Sequence, residues 1–255
     1  MNTAIEFRNV SKTFPGAGYR AVDHVSLTVQ EGEFITILGT SGCGKTSLLK
    51  MVNRLYEPDS GEILLFGENI RSADVVKVRR RIGYVIQQIG LFPHYTVGEN
   101  VATVPKLLNW DKAKIAARVD ELLKLVGLEP AEFRNRYPTQ LSGGQQQRVG
   151  LARALAVDPK IMLMDEPFGA VDSITREKLQ EELIRLHRET GKTFLFVTHD
   201  IEEAFRLGDR VMIMNEGRLL QFDTPANIIH SPADPFVQSL VNSARAKEAF
   251  WKEYL

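Results

Sequence analysis

The sequence predicts an α/β fold: a mainly parallel sheet flanked by helices, with a small antiparallel β subdomain and an inserted α-helical subdomain. Short apolar runs alternate with helical patterns along most of the 255 residues, which is typical of a parallel sheet. Three of these runs, Ile5–Val10, Val25–Val29 and Gly61–Phe66, fit an antiparallel layer. Between Thr96 and Ala156 no run has the pattern of a strand, so we expect a helical insert there.

The separate elements follow from apolar runs and from helical spacing. The predicted strands of the core are Phe34–Leu38, Gly61–Phe66, Ile82–Ile86, Lys160–Met164, Thr193–Val197 and Arg210–Met214. In the insert, the apolar residues at helical spacing are Ile115, Val119, Leu122, Leu123 and Val126. Another amphipathic helix is expected after Asp172, with Leu179, Leu183 and Leu186 on its buried face.

Composition predicts an ordinary globular protein without a nucleic-acid partner. Lys plus Arg and Asp plus Glu both number 32, so no net charge favours nucleic acid or an anionic membrane. The single cysteine, Cys43, cannot form an internal disulfide, which suits a reducing cytoplasm. The chain start lacks the pattern of a signal peptide, and no apolar run approaches the roughly 18–20 residues of a membrane span. We therefore expect any membrane role to depend on partner subunits.

A glycine-rich loop between an apolar run and a helical pattern predicts a site for nucleoside triphosphate. It fits G-x-x-x-x-G-K-[ST], and its glycines allow backbone N–H groups to approach phosphate oxygens. The residues expected to contact the nucleotide here are Gly39, Thr40, Ser41, Gly42, Cys43, Gly44, Lys45, Thr46 and Ser47. Lys45 would add a cation, and Thr46 a hydroxyl for Mg²⁺. Cys43 is interpreted as a small loop residue, with redox sensing as the alternative. The motif and its flanks predict a P-loop NTPase (RecA-like) core.

Polar residues that follow other predicted strands extend this site. Asp165 and Glu166 end an apolar run; Asp165 would hold Mg²⁺, and Glu166 would polarise the attacking water. Gln87 follows another strand, where its amide could reach the metal and the water; Gln88 is the alternative. His199 also follows a strand and would donate a hydrogen bond to the γ-phosphate. The predicted catalytic residues are thus Glu166, His199, Lys45 and Gln87, and the predicted metal ligands are Thr46, Gln87 and Asp165.

An aromatic side chain near the first strands is expected to stack on the base. Phe14 is the candidate and Tyr19 the alternative. Base–aromatic stacking contributes roughly 1–3 kcal/mol and tolerates different bases.

Far downstream, the run Leu141–Gln145 reads Leu-Ser-Gly-Gly-Gln. Together with the phosphate loop, it makes nearly the whole chain resemble the ATP-binding subunit of an ATP-binding cassette (ABC) transporter. The resemblance implies that Ser142, Gly143, Gly144 and Gln145 face the ATP held by a second copy. It also implies a head-to-tail dimer with ATP between the copies. Asp172 matches the aspartate that joins the two sites, although Gly169 and Val171 depart from the commoner Ser-Ala-Leu-Asp pattern.

Several stretches are similar to the osmoprotectant branch of importers, which carry glycine betaine, carnitine or choline. They are 51–58, 82–94 and 104–108. The resemblance implies ATP and Mg²⁺ as cofactors. It also implies that this chain lies at the cytoplasmic face of the membrane as a peripheral subunit, bound to integral membrane permease subunits. It further implies an indirect partnership with a substrate-binding protein. A permease helix would enter a groove that includes Ile89–Pro93; burial of Leu91 and Phe92 against the insert is the alternative.

The resemblance implies a nucleotide-binding domain over residues 1–230, with its helical insert at about 96–156. A helical tail over 231–255 would follow, without a regulatory domain. Import of another solute (amino acid, sugar or polyamine) and a soluble, non-transport ABC ATPase are the alternatives. A small-molecule P-loop kinase would use Lys45 and Asp165 but would leave Leu141–Gln145 without a role.

Overall fold

The computed structural model describes residues 2–86, 90–169 and 171–254. The chain divides into two compact units. Unit 1 comprises Met1–Val78 and Thr193–Leu255, and unit 2 comprises Arg79–Lys192. Gln87, Gln88 and Ile89, which the sequence analysis named, lie outside the described residues.

Strands and helices alternate along the described residues. The strands are β1 (Thr3–Thr13), β2 (Arg20–Gln30), β3 (Phe34–Gly39), β4 (Ser60–Leu65), β5 (Glu68–Asn69), β6 (Ile82–Val85), β7 (Ile161–Asp165), β8 (Thr193–Thr198), β9 (Arg210–Asn215) and β10 (Arg218–Asp223). The helices are α1 (Lys45–Val52), α2 (Val75–Arg80), α3 (Val97–Val101), α4 (Thr103–Leu107), α5 (Lys112–Leu125), α6 (Pro130–Phe133), α7 (Gly143–Leu155), α8 (Ser173–Thr190), α9 (Ile201–Leu207), α10 (Pro225–His230) and α11 (Pro235–Tyr254). In the described part of the chain, every helix is too short or too polar to span a lipid bilayer.

The antiparallel layer predicted for the early strands is present in unit 1. Its strand order is β2-β1-β4-β5. Ile5 lies opposite Val29 on one side and opposite Leu65 on the other, and all three side chains are buried. Such apolar cross-strand neighbours fix the register, because a slip by one residue would turn the buried set outward.

The parallel strands of unit 1 bring their carboxyl ends to one edge. The strand order is β10-β9-β3-β8, and β3 is parallel to both β8 and β9. Every residue of β3 is buried, as expected of a central strand covered on both faces. Leu38 pairs with Thr198, and Gly39 pairs with Met214. The phosphate loop and His199 therefore begin at the same edge of the sheet.

The C-terminal helix α11 belongs to unit 1 and packs against other elements of that unit. Val237 and Val241 are buried in one apolar cluster with Val211, Ile213 and Ile228. Burial of these apolar side chains compensates for the conformational entropy that is lost when the helix becomes ordered.

In unit 2, helices surround a pair of parallel strands. Strands β6 and β7 are parallel, with Val85 opposite Met164. Residues 96–156, all of which the structure describes, form five helices and a short 3₁₀ turn (Pro138–Gln140) but no strand. Leu183 and Leu186 of α8 are buried as predicted.

Two strands lack a sequence pattern that would have predicted them. Strand β5 has only two residues, and the polar side chains of β10 are half-buried or exposed rather than alternating. β10 nevertheless pairs antiparallel with β9 through the tight turn at Glu216–Gly217.

Candidate functional site

The phosphate loop joins the buried strand β3 to α1 in unit 1. Thr40, Ser41 and Gly42 are exposed, whereas Cys43 and Gly44 are buried. Gly44 is the N-cap of α1, and a glycine offers no side chain to cap the first turn. The amide N–H groups of a first helical turn have no intrahelical acceptor, and they attract anions. The loop therefore has the local structure of a phosphate cradle.

Two glycines of this loop leave no room for a side chain. At Gly44, where φ is +105°, an added Cβ would collide with the carbonyl oxygen of Ala21. At Gly39 it would collide with the carbonyl oxygen of Met214 and lie 2.6 Å from the Sγ of Cys43. Gly42 differs, because its φ is +79° but a Cβ there would meet open space. Glycine is therefore favoured at position 42 by the backbone conformation, whereas at Gly39 and Gly44 it lets neighbouring backbone segments pack closely.

Lys45 lies at the start of α1 with its side chain buried and folded back on the loop. Its Nζ donates to the carbonyl oxygens of Gly39 at 2.8 Å and of Thr40 at 2.9 Å. A lysine ammonium has three donors, so these two bonds hold the cation beside the loop's own backbone. Burial raises the pKa of the neighbouring Cys43 thiol, with a smaller opposing effect from the charge of Lys45.

His199 is exposed in the turn between β8 and α9, at the sheet edge that also carries the phosphate loop. A buried polar pair holds this turn. The hydroxyl of Thr198 donates to a carboxylate oxygen of Glu203, and the N–H of Asp200 donates to the same hydroxyl at 3.0 Å. Asp200 caps α9 by accepting from the N–H groups of the first turn, including that of Glu203 at 3.2 Å. Thr198, Asp200 and Glu203 thus fix the backbone on both sides of His199.

A cleft of about 740 Å³ opens beside the exposed part of the phosphate loop. Its described lining residues are Gly18, Tyr19, Arg20, Asp23, Thr40, Ser41, Gly42, Cys43, Glu216 and Arg218. Tyr19 lines this cleft and is 63% exposed. Phe14 instead packs edge-on against Tyr56, with ring centroids 5.0 Å apart. Of the two aromatic candidates, the geometry favours Tyr19 as the one that faces the cleft.

The two predicted acids of unit 2 lie at the end of β7. Asp165 is its last residue and is 5% exposed. Glu166 follows with φ +44°, a left-handed conformation that is uncommon for residues other than glycine. Its carbonyl oxygen accepts from the N–H of Gly169 at 3.2 Å, which closes the turn after the strand. A polar residue held in such a conformation at a strand end is typical of functional sites.

The segment Leu141–Gln145 forms the N-terminus of α7 in unit 2. Ser142 is the N-cap: its hydroxyl accepts from the N–H of Gln145 at 3.3 Å, and the Gln145 side chain accepts from the N–H of Ser142 at 2.9 Å. This reciprocal pair is a capping box. Ser142 and Gly143 are exposed, and a Cβ at Gly143 would meet nothing within 4 Å. The positive end of α7 is therefore exposed at Ser142 and Gly143, and Gly143 adds no side chain that would cover it.

Asp172 is the N-cap of α8 in the same unit, with its carboxylate accepting from the N–H of Thr175 at 3.0 Å. This backbone hydrogen bond lowers the pKa of Asp172. A Cβ added to Gly144 would lie 2.8 Å from the Cγ2 of Thr175. The first turns of α7 and α8 are therefore in contact, which brings the segment Leu141–Gln145 close to Asp172.

The loop that begins at Gly90 presents two partly exposed aromatic rings on unit 2. Phe92 and Tyr95 are 47% and 45% exposed, with ring centroids 5.3 Å apart. The fully buried Asn100 donates to the carbonyl oxygens of Phe92, Tyr95 and Thr96 and accepts from the N–H of Phe92. The alternative prediction, burial of Leu91 and Phe92 against the insert, is wrong for Phe92, which is exposed, whereas Leu91 is half-buried.

The sequence analysis missed the polar residues that support the site. The sequence did not indicate a supporting role for Glu203, because the sequence around a buried glutamate on a short helix looks the same as the sequence around an exposed one. Asn215 and Gly217, at the turn between β9 and β10, contact the phosphate loop directly. The run Asn-Glu-Gly after the apolar strand β9 is a turn signal, but it does not by itself predict strand β10 or the contact with the phosphate loop.

Comparison with known proteins agrees with this arrangement. The profile of the family described as "ABC transporter" matches residues 22–169. The carnitine transport ATP-binding protein OpuCA of Listeria monocytogenes is 53% identical over 245 residues, which are 96% of this chain and 61% of that protein. The glycine betaine uptake system ATP-binding protein YehX of Escherichia coli (strain K12) is 54% identical over 234 residues, covering 92% of this chain and 75% of that protein.

A solved structure shares the fold. It is the dimeric post-hydrolysis state of the ATP-binding cassette MJ0796 bound to ADP and Pi, with a TM-score of 0.77 and 38% identity, covering 87% of this chain and 98% of that one. The chain spans only about 61–63% of the length of several curated relatives that it matches, OpuCA among them. The phosphate loop, the acids after β7 and the Leu-Ser-Gly-Gly-Gln segment, together with these matches, show that the chain belongs to the ABC transporter family.

Proposed function

We propose that this chain binds and hydrolyses ATP as the ATP-binding subunit of an ABC importer for quaternary-amine osmoprotectants such as glycine betaine, carnitine or choline. The observation that carries the proposal is the identity of 53–54% over more than nine tenths of the chain to the carnitine and glycine betaine subunits described above. The solute is inferred from these relatives alone, because the ATPase itself does not contact it.

Several groups of the phosphate loop contribute to the binding of ATP. The N–H groups at the start of α1 bind phosphate oxygens, and Lys45 needs to turn only its Nζ from two loop carbonyls toward the phosphates. The glycines keep the backbone close to the ligand. Phe14 and Tyr19 are the proposed base platforms. Substituting each by Ala and measuring the affinity for a fluorescent ATP analogue distinguishes them.

Hydrolysis rests on charge stabilisation by this chain's side chains. Thr46 and Asp165 supply the hydroxyl and carboxylate oxygens that Mg²⁺ prefers, and Gln87 is proposed to join them. When bound, the ion would neutralise phosphate charge. We propose that Glu166 orients and polarises the attacking water and that His199 donates to the developing charge. Glu166→Gln is therefore expected to bind ATP without turning it over.

The exposed start of α7 supports a shared site. Ser142 and Gly143 are exposed at the positive end of α7, Gly144 adjoins Thr175 of α8, and Gln145 supports this turn through the capping box. We propose that this surface contacts ATP held by a second copy, that Asp172 lies at the same interface, and that the closed dimer opens after hydrolysis. This chain would lie at the cytoplasmic face of the membrane, bound to integral permease subunits, and indirectly a substrate-binding protein would complete the importer.

A mixing experiment tests the shared site. A Lys45→Ala copy has an unsubstituted Leu-Ser-Gly-Gly-Gln segment, and a Ser142→Arg copy has an unsubstituted phosphate loop. Each variant alone is expected to be inactive, whereas the mixture forms one working site per heterodimer and regains part of the ATPase rate. A mixture as inactive as its components, with both copies folded and dimerising, contradicts the shared site.

The solute is tested separately. Cells that lack this chain are expected to lose uptake of one or more quaternary amines at high osmolarity and to regain it when the chain is restored. Restoration by the Glu166→Gln variant would contradict a role for hydrolysis. Undiminished uptake of the whole panel, with loss of another solute, would contradict the osmoprotectant assignment.

A further inference from the structure

The β9–β10 turn, defined here as Asn215–Arg218, contacts the phosphate loop at two points. The N–H of Gly217 donates to the carbonyl oxygen of Cys43 at 3.0 Å. The hydroxyl of Thr40 donates to the Oδ1 of Asn215 at 3.4 Å. The contacts lie on both sides of Ser41 and Gly42, the exposed tip of the loop.

The other side of the β9–β10 turn is attached to strand β2. The N–H of Asp23 donates to the carbonyl oxygen of Gly217 at 2.8 Å. The carboxylate of Asp23 also accepts from the Nε of Arg218 at 2.9 Å and from the Nη1 of Arg20 at 2.7 Å. Gly217 therefore links the phosphate loop, through its own peptide groups, to the antiparallel sheet.

Only glycine fits at the centre of this link. Gly217 has φ +80°, and an added Cβ would lie 2.6 Å from the carbonyl oxygen of Arg20 and 3.3 Å from that of Ala21. Both obstacles are backbone atoms, which cannot rotate away as a side chain can. A substitution must therefore move the β9–β10 turn away from β2, and the hydrogen bond to Cys43 would move with it.

We propose that the β9–β10 turn is a positioning element that holds the phosphate loop in the conformation that accepts ATP, with Gly217 as its key residue. The proposal rests on the function proposed above in one respect only, namely that the loop binds ATP. A loop held before binding loses less conformational freedom when the ligand arrives, so its affinity is higher than that of a mobile loop. The turn comes 171 residues after Gly44 in sequence, yet its effect would appear in the KM for ATP.

The chain contains its own reporter of loop position. Cys43 is the only cysteine of the sequence and is 4% exposed. A thiol reagent such as DTNB can reach it only when the phosphate loop opens, so the labelling rate at pH 8 in native buffer measures local opening. Because no nucleotide is needed, the measurement does not depend on ATPase activity.

The experiment compares Gly217→Ala with Gly67→Ala. Gly67 also lies in a hairpin turn and has φ +79°, but a Cβ there would meet nothing within 4 Å. Gly67→Ala therefore introduces the same backbone strain as Gly217→Ala, but no collision with neighbouring atoms. We expect Gly217→Ala to label at least about tenfold faster than the unsubstituted chain, and to raise the KM for ATP several-fold with little change in kcat. Gly67→Ala is expected to leave both quantities within about twofold.

Equal labelling rates for the two folded variants would overturn the proposal, and so would a faster rate without a rise in KM. If Gly217→Ala does not fold, Arg218→Gln replaces it, because this side chain is 70% exposed and its loss removes one tie to Asp23. It is expected to label Cys43 about threefold faster, and an unchanged rate overturns the proposal. If the chain hydrolysed no ATP at all, the function proposed above would fail, while the labelling rates would still decide the positioning of the loop.

Discussion

Replacing Thr198 by Val should destabilise unit 1 more than the same replacement at Thr36, although both threonines are buried. Thr36 donates to the neutral carbonyl oxygen of Ala204 at 2.9 Å. Thr198 donates to the carboxylate of Glu203 and accepts from the N–H of Asp200, so its removal takes two hydrogen bonds from this turn, one of them to a buried carboxylate. A hydrogen bond to a charged group contributes about 1.5–3 kcal/mol, against about 1 kcal/mol for a neutral one.

The two substitutions change volume very little, so packing contributes equally to both. In a chain of this size, 1 kcal/mol shifts the unfolding midpoint by roughly 2–4 °C. We therefore expect Thr198→Val to lower Tm by about 3–12 °C and Thr36→Val by about 2–4 °C, measured by circular dichroism at pH 7.

Turnover provides the second half of the test. Because Thr198 adjoins His199 and fixes its backbone, kcat for ATP should fall in Thr198→Val and stay near the starting value in Thr36→Val. The reasoning is refuted if Thr198→Val lowers Tm no more than Thr36→Val does, or if both variants keep full turnover.

Four further substitutions test three more predictions. Leu183→Ala, at a side chain 1% exposed, should cost about 2–5 kcal/mol and appear as a lower Tm, and a change below 1 °C would contradict core packing. Gly44→Ala should weaken ATP binding at least tenfold through the collision with Ala21, whereas Gly42→Ala should weaken it much less, as titration with a fluorescent ATP analogue would show. Asp172→Ala should lower Tm at pH 7. The pKa of this capping carboxyl is lowered in the folded state, so the group stabilises the fold above its unfolded pKa of about 3.9, and this stabilisation is lost as pH falls through the folded pKa. An equal decrease in Tm at pH 7 and at pH 3 would contradict this reasoning.

Local sequence signals predicted most of the strands and the phosphate loop. The strand Phe34–Leu38 is apolar except for Thr36, and the loop after it needs glycines at fixed positions. Such signals arise from backbone sterics and burial within a few residues, so they can be read without knowing the tertiary structure. The capping box at Ser142 is local in the same way.

The supports of the site depend on contacts between distant segments and could not be predicted. The hydrogen bond between Gly217 and Cys43 joins two short polar turns, neither of which has a periodic pattern. The left-handed φ of Glu166 is imposed by the turn after β7 and has no counterpart in residue type. The choice between Phe14 and Tyr19 depended on which ring faces the cleft, a property of the folded hairpin rather than of either residue.

The asparagine beneath the Phe92–Tyr95 loop has a mechanical consequence. A loop in which several carbonyl groups accept hydrogen bonds from one buried side chain resists bending. A partner that pushes on its aromatic rings would therefore move the loop as a unit instead of deforming it. The push would pass through Asn100 to helix α3, which carries this residue. Unit 2 therefore presents at its surface a loop whose backbone is held to helix α3 by one buried side chain.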